Sequence, residues 1–203
     1  ILKENPEAVF IRKTNLTRMD QQEGFHNGGY LIAKDLFVAS KNTTAHKLIL
    51  KPNVVHHVPE DENGNLVKDA NGMVTNVNFV GGIIDYLQEL GAKDVVIAEG
   101  GGPIDMMKVY EDWGYTDMAK KRGIPLLNMN RLKYKDEQLN WVTLKDSVVM
   151  KNIPFVKPVM DENTHFINIP TLKTHNLGLT TLCCKNLQGI VAHGYKHYCQ
   201  RLN

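Results

Sequence analysis

One short apolar run constrains the fold of this chain more than any other stretch. In residues 94–98 (DVVIA), the apolar residues follow one another without alternating with polar positions. A continuous run of this kind is typical of a parallel β-strand that is covered on both faces. Residues 46–50 (HKLIL) and 166–169 (FINI) are also strand-like. These three runs predict the strands of one buried sheet.

Segments with helical periodicity separate the predicted strands. Between residues 80 and 90, apolar residues follow the i, i+3, i+4, i+7 spacing of one buried helical face, and Thr75 or Asn76 can cap that helix. Two more helical segments are predicted near residues 106–113 and 116–122. Parallel strands need crossover connections of this kind. The sequence therefore predicts an α/β fold whose largely parallel sheet is flanked by helices.

Three other segments are assigned from local signals. Residues 139–160 alternate apolar and polar residues and include two prolines, which predicts a hairpin at the edge of the sheet. Residues 24–30 (GFHNGGY) are assigned to a loop, and residues 8–12 (AVFIR) to a short strand.

A helix is also predicted near the C-terminus, with Thr180 as its N-cap. At 100° per residue, Leu179 and Cys183 fall on its apolar side, while Thr181 and Lys185 fall on its polar side. Free cysteine is among the most buried residue types, so the adjacent cysteines at 183 and 184 are expected in the core. The N–H groups at the start of this helix would offer an anion site.

Composition excludes several classes of function. The 203 residues carry 24 Lys and Arg against 22 Asp and Glu, and no basic stripe interleaved with aromatic residues indicates nucleic-acid binding. No apolar run reaches the ~18 residues of a membrane-spanning helix. The length of the chain indicates that residues 1–203 form a single domain. Because the chain starts at Ile1, it is interpreted as part of a longer precursor. The sequence does not determine whether the protein is exported to the periplasm or stays in the cytoplasm. It does not determine the oligomeric state either.

Polar side chains gather where three predicted strands end. In open α/β sheets ligands bind beyond the carboxyl ends of the strands. Lys51 and Asn53 follow the first of these strands, Glu99 ends the second, and Lys173 and His175 follow the third. We therefore expect these side chains to face one crevice. Thr181, Lys185 and Asn186 come shortly afterwards in the chain and complete this candidate site.

Histidines suggest a second kind of site. His193 and His197 are four residues apart and would share a helical face, and Cys199 follows closely. His175 would supply a third ligand if the C-terminal segment folds back. A metal ion held by His175, His193 and His197 is therefore a candidate cofactor.

The same residues resemble a known family. The stretch ILKPN, the helix ending in LQELGAKDVVIAEG, and INIPTLKTH followed by TTLCCKNLQG resemble the prokaryotic family named domain of unknown function three-sixty-two, over about residues 46–194. The resemblance implies an α/β core and a redox association, with a ferredoxin-like iron–sulfur module outside this domain. The family's marked positions fall on Lys51, Pro52, Asn53, Glu99, Lys173, His175, Thr181, Lys185, Asn186 and Gly189.

Two functional hypotheses follow, and a third is kept beside them. In the first, an enzyme domain binds a small anionic substrate or cofactor. Its catalytic residues are Glu99, Lys173, His175 and Lys185, and its cofactor-binding residues are Lys51, Asn53, Thr181 and Asn186. The alternative is a non-catalytic metal-binding or electron-transfer module that serves a redox partner. The third is a structural or interaction protein, in which ion pairs among these side chains fill the crevice. No Cys-x-x-Cys series is present, so an iron–sulfur cluster would have to lie on a partner or on a missing segment.

Overall fold

A four-stranded parallel sheet organises the part of the chain that the structure describes. The computed structural model describes residues 11–18, 20–37, 46–67, 72–102, 105–148, 150–175 and 179–192. The strand order is β3-β2-β1-β6, and every neighbouring pair is parallel. The strands of this sheet are β1 (Lys47–Pro52), β2 (Val95–Glu99), β3 (Leu126–Asn128) and β6 (Thr164–Ile169). The predicted α/β class and largely parallel sheet are confirmed.

The predicted helices occupy the crossovers between these strands. They are α2 (Val77–Glu89), α3 (Met106–Asp112) and α4 (Tyr115–Arg122). Asn76 caps α2, because its side-chain oxygen accepts the Asn78 N–H at 2.9 Å. The chain leaves α2 through Gly91, whose φ of +91° lies in the left-handed region that glycine adopts easily.

The prediction of a loop at residues 24–30 is wrong, because these residues lie within helix α1 (Gln22–Phe37). The two helices α1 and α2 pack with their backbones in contact. A Cβ at Gly29 would lie 1.9 Å from the Phe79 carbonyl oxygen, and a Cβ at Gly82 would lie 1.9 Å from that of His26. The lack of a side chain therefore lets the two helices pack closely, and this packing outweighs the low helix propensity of glycine. Of the strand predicted at 8–12, only Ile11 and Arg12 are described, and neither is in a strand.

Two antiparallel hairpins complete the described structure. Strands β4 (Leu139–Thr143) and β5 (Asn152–Val156) confirm the hairpin predicted within residues 139–160, although they form a separate two-stranded sheet. Strands β7 (Lys173–His175) and β8 (Leu179–Thr181) form the second hairpin.

The prediction for the C-terminal helix is wrong about where the helix starts and about which side chains it buries. Thr180 lies in β8 rather than at an N-cap, and helix α5 (Cys183–Asn186) is one turn long before a 3₁₀ turn at Leu187–Ile190. The two cysteines of α5 are exposed. The reason is that apolar periodicity over so short a segment does not specify a helix, and Leu179 is 82 % exposed.

The core lies on both faces of the main sheet. On one face, Leu50 and Ile97 pack with the buried sides of the helices α2, α3 and α4. On the other face, Ile49 and Ala98 pack with residues of the β4–β5 hairpin and with Ile190. Strands covered on both faces need continuous apolar sequence, which explains the run at 94–98. None of the described helices is long and apolar enough to cross a lipid bilayer.

Candidate functional site

A pocket of about 220 Å³ opens at the carboxyl ends of strands β1 and β2. The segment that follows β6 forms another of its walls. All the predicted site residues that the structure describes line this one pocket. These residues are Lys51, Asn53, Glu99, Lys173, His175, Thr181, Lys185 and Asn186. Their grouping follows from the parallel sheet, since parallel strands end at a common edge.

The floor of the pocket is a buried ion pair. Lys51 Nζ lies 2.8 Å from each carboxylate oxygen of Glu99, and the two side chains are 1 % and 0 % exposed. The Glu99 carboxylate also accepts the N–H groups of Val54 at 3.1 Å and Gly100 at 2.8 Å. Burial lowers the pKa of Lys51, while its contact with Glu99 opposes that effect. Each Glu99 oxygen thus accepts two hydrogen bonds.

Asn186 locks this ion pair to the C-terminal segment. Its side-chain oxygen accepts from Lys51 Nζ at 3.0 Å. Its amide group donates to the Lys51 carbonyl at 3.2 Å and to the Asn168 side chain on β6 at 2.7 Å. An amide can make these bonds in both directions, as a buried polar group requires. Asn186 therefore connects α5 with strands β1 and β6.

Two glycines allow the C-terminal segment to approach the floor. A Cβ at Gly189 would lie 2.5 Å from Glu99 Oε1 and 2.7 Å from Lys51 Cε. A Cβ at Gly100 would lie 2.3 Å from the Gly189 carbonyl oxygen. All three distances are shorter than any normal contact, so close packing accounts for glycine at these two positions.

The segments before α2 and after β6 are joined beside the pocket. The Met73 carbonyl accepts from Asn53 Nδ2 at 3.1 Å and from Lys173 Nζ at 2.7 Å. Thr75 Oγ1 donates to the Ile169 carbonyl at 2.7 Å and accepts the Asn53 N–H at 2.9 Å. The Asn53 side chain is therefore bound into the wall and holds Met73 in place.

The lysines on the walls have surroundings unlike those of Lys51. Lys173 is half-buried and donates to the Met73 carbonyl, while Lys185 is exposed and donates to Gln188 Oε1 at 2.5 Å. Partial burial lowers the pKa of Lys173, and the nearby Lys185 lowers it further, against an opposing effect of Glu99. Among the described residues, no carboxylate forms an ion pair with either ammonium group.

His56, which lies in the loop after β1, also lines the pocket, although it was not among the site residues predicted from the sequence. Its carbonyl accepts Trp113 Nε1–H at 2.6 Å, which ties the loop to the end of α3. Partial burial lowers the pKa of His56, and Lys173 and His57 lower it further. His57 Nδ1 contacts Asp112 Oδ2 at 2.6 Å. The signal that could have identified His56 is its position five residues after Lys51.

Two parts of the predicted chemistry have no support in this geometry. With four residues, α5 is too short to offer the N-terminal anion site expected at Thr180. Of the predicted metal ligands, His175 lines the pocket, whereas His193 and His197 lie outside the described residues. Within the described ranges, no group of three or more His, Cys, Asp or Glu side chains is placed to hold a metal ion. The metal site stays a prediction.

Comparisons with known proteins identify a family but no activity. Residues 48–202 match the sequence model of the family described as Domain of unknown function (DUF362). No curated protein and no solved structure matches the chain. Because the match covers well over half of its length, the chain belongs to the DUF362 family.

Proposed function

We propose that this member of the DUF362 family is an enzyme domain whose pocket binds a small organic anion. The observation that carries the proposal is the pair Lys173 and Lys185, which line one pocket without a carboxylate partner among the described residues. The positive charge of Lys185 raises the electrostatic cost of a positive charge on Lys173. An anion bound between them would remove that cost, so the pocket favours a negatively charged ligand.

The proposal divides the candidate residues into a framework and a reactive wall. The framework consists of Lys51, Glu99 and Asn186, whose polar atoms bind one another. Four acceptors surround Lys51 Nζ, and each Glu99 oxygen already accepts two hydrogen bonds. These residues therefore shape the pocket instead of reacting in it.

The reactive wall consists of Lys173, Lys185, His56 and His175. The two lysines would bind the anion, and an imidazole would move a proton, because histidine titrates near neutral pH. The lowered pKa of His56 keeps its imidazole neutral at pH 7 and available as a base. The redox association implied by the family resemblance stays a separate prediction, with any iron–sulfur cluster on a partner module.

Binding measurements on lysine variants test the proposal. Isothermal titration calorimetry at low ionic strength would compare phosphate, acetate, oxalate and pyruvate as probes. We expect at least one of them to bind, and the double variant Lys173→Ala/Lys185→Ala to lose that binding. The matched control is Lys120→Ala/Lys121→Ala, which removes two exposed charges from α4, away from the pocket.

Folding of each variant would be checked by its thermal unfolding curve. Because both wall lysines are at least partly exposed, the double variant is expected to fold. Unchanged anion binding in a folded double variant would overturn the proposal. An equal loss of binding in the control variant would also overturn it, since that result would mean non-specific attraction to net charge.

A further inference from the structure

We propose that Lys173 is a nucleophile that forms an imine with a small 2-oxo acid bound in the pocket. This inference rests on the proposed function, because it specifies the class of anion and the group that reacts with it. It is argued from the different surroundings of the three pocket lysines, from the position of Lys185, and from the size of the cavity.

The three lysines differ in how many acceptors surround the nitrogen. Lys51 Nζ has the two oxygens of Glu99, the Asn186 side chain and the Pro52 carbonyl within hydrogen-bond distance. These four acceptors surround the nitrogen, so it has no free side from which to attack a carbonyl. Lys173 Nζ instead donates to one neutral carbonyl, that of Met73, at 2.7 Å. A neutral amine can donate one hydrogen there and keep its lone pair directed elsewhere.

The surroundings of Lys173 make its neutral amine easier to form than that of an ordinary lysine. Desolvation beside the pocket disfavours the charged form, and the Lys185 ammonium disfavours it again. Reactive lysines are commonly activated in these two ways, by burial and by a neighbouring cation. Lys185 is exposed and lines the same pocket. The pair thus combines one nucleophilic nitrogen with one fixed positive charge.

The fixed charge and the cavity size specify the partner. An ammonium at Lys185 would bind a carboxylate, and a carbonyl carbon next to that carboxylate would then lie towards Lys173. A volume of about 220 Å³ holds about seven water-sized groups, taking ~30 Å³ for each. A 2-oxo acid as small as pyruvate or glyoxylate fits that space.

The reaction balances without an oxidant or a reductant. The lone pair of Lys173 Nζ attacks the carbonyl carbon, a C–N bond forms, and the carbonyl oxygen takes up a proton to give a carbinolamine. The C–O bond then breaks and water leaves, so amine plus carbonyl gives imine plus water. His56 lines the same pocket and can carry the proton from nitrogen to the leaving oxygen.

Reductive trapping tests the inference. The protein would be incubated with pyruvate or glyoxylate and sodium cyanoborohydride, which converts an imine into a stable amine, and the product analysed by intact mass and peptide mapping. We expect one label per chain, on Lys173, and its loss in Lys173→Arg, which keeps the positive charge. Acetone, which has a carbonyl but no carboxylate, is expected to label Lys173 less than pyruvate does. The exposed Lys121 is the internal reference for non-specific labelling.

The outcomes separate this inference from the proposed function. Calorimetric binding of pyruvate with no preferential label on Lys173 would overturn the imine while leaving the anion pocket intact. Label spread equally over Lys173 and Lys121 would overturn it in the same way. Absence of binding by every anion tested would overturn both. Lys173→Met serves as a second variant if the arginine does not fold, and the label should be lost there too.

Discussion

Replacing Glu99 with glutamine tests whether Lys51 and Glu99 act as one structural unit. Both side chains are almost fully buried, and each carboxylate oxygen accepts two hydrogen bonds. Glutamine keeps the volume and one acceptor oxygen, but its amide group presents hydrogens to Lys51 Nζ and to the N–H of either Gly100 or Val54. The variant therefore has a buried ammonium without its counter-charge and a buried donor without an acceptor.

The expected loss of stability is large. Removing one partner of a buried ion pair costs about 3–5 kcal/mol. In a domain of this length each kcal/mol lowers the Tm by about 2–4 °C, so we expect Tm to fall by roughly 6–20 °C. Thermal and urea unfolding at pH 7, followed by circular dichroism, would measure it. The matched control is Glu111→Gln, whose carboxylate forms an exposed pair with Lys108 at 3.1 Å. That substitution should leave Tm almost unchanged.

A double variant separates the lost pairing from other effects of the substitution. Adding Lys51→Met to Glu99→Gln removes the unpaired ammonium, so we expect the double variant to be less destabilised than the sum of the single variants. A loss of less than about 1 kcal/mol in Glu99→Gln would refute the reasoning. Strict additivity in the double variant would refute it as well, because additivity means that the two residues do not interact.

Two further predictions concern packing and acid stability. Gly189→Ala places a Cβ 2.5 Å from a carboxylate oxygen of the buried pair and should lower the free energy of unfolding by about 1–3 kcal/mol. Gly102→Ala, whose Cβ meets nothing closer than 3.4 Å, should not, and equal stability of the two variants would contradict this account. Burial raises the pKa of Asp85, but hydrogen bonds from Arg122 and His26 lower it more, so its net pKa lies below 3.8. The stability it contributes is complete above that value and is lost as the pH falls through the lower folded-state pKa. Asp85→Asn should therefore flatten the loss of stability between about pH 4 and 2, and parallel stability curves would contradict that assignment.

The strands and their common edge are predictable because local sequence determines them. The continuous apolar run at 94–98 is typical of a strand that is covered on both faces, and strands of this kind occur in parallel sheets. Once the strands are parallel, Lys51 and Glu99 must end at the same edge of the sheet. The convergence of the site therefore follows from the pattern of apolar residues and needs no knowledge of the ligand.

Tertiary packing explains what the sequence did not reveal about the helices. Gly28, Gly29 and Gly82 are poor helix formers, at about 1 kcal/mol each relative to alanine. They are nevertheless helical, because side chains at Gly29 and Gly82 would separate α1 from α2. A single sequence shows the cost of each glycine but not the contact that compensates for it. The helix predicted at 179–190 was wrong for the opposite reason. Its apolar spacing suggested a buried helical face, but Leu179 and Cys183 are exposed.

The roles of the charged residues were the least predictable part of the site. Lys51 and Lys173 look alike in sequence, as lysines that follow the ends of predicted strands. Their difference arises from the distance to Glu99, which lies 48 residues from Lys51 along the chain. Whether a lysine forms an ion pair with Glu99 depends on the register between two strands. The sequence of one strand alone does not determine that register.

The contact between Asn186 and Lys51 also has a consequence for synthesis of the protein. The two residues are 135 positions apart, so strands β1 and β2 leave the ribosome long before the segment that covers their ends. Until residues 186–189 emerge, Lys51 and Glu99 remain hydrated. Their burial requires these late residues. Dehydration of the ion pair and completion of the pocket are therefore one event, and it falls near the end of translation of this region.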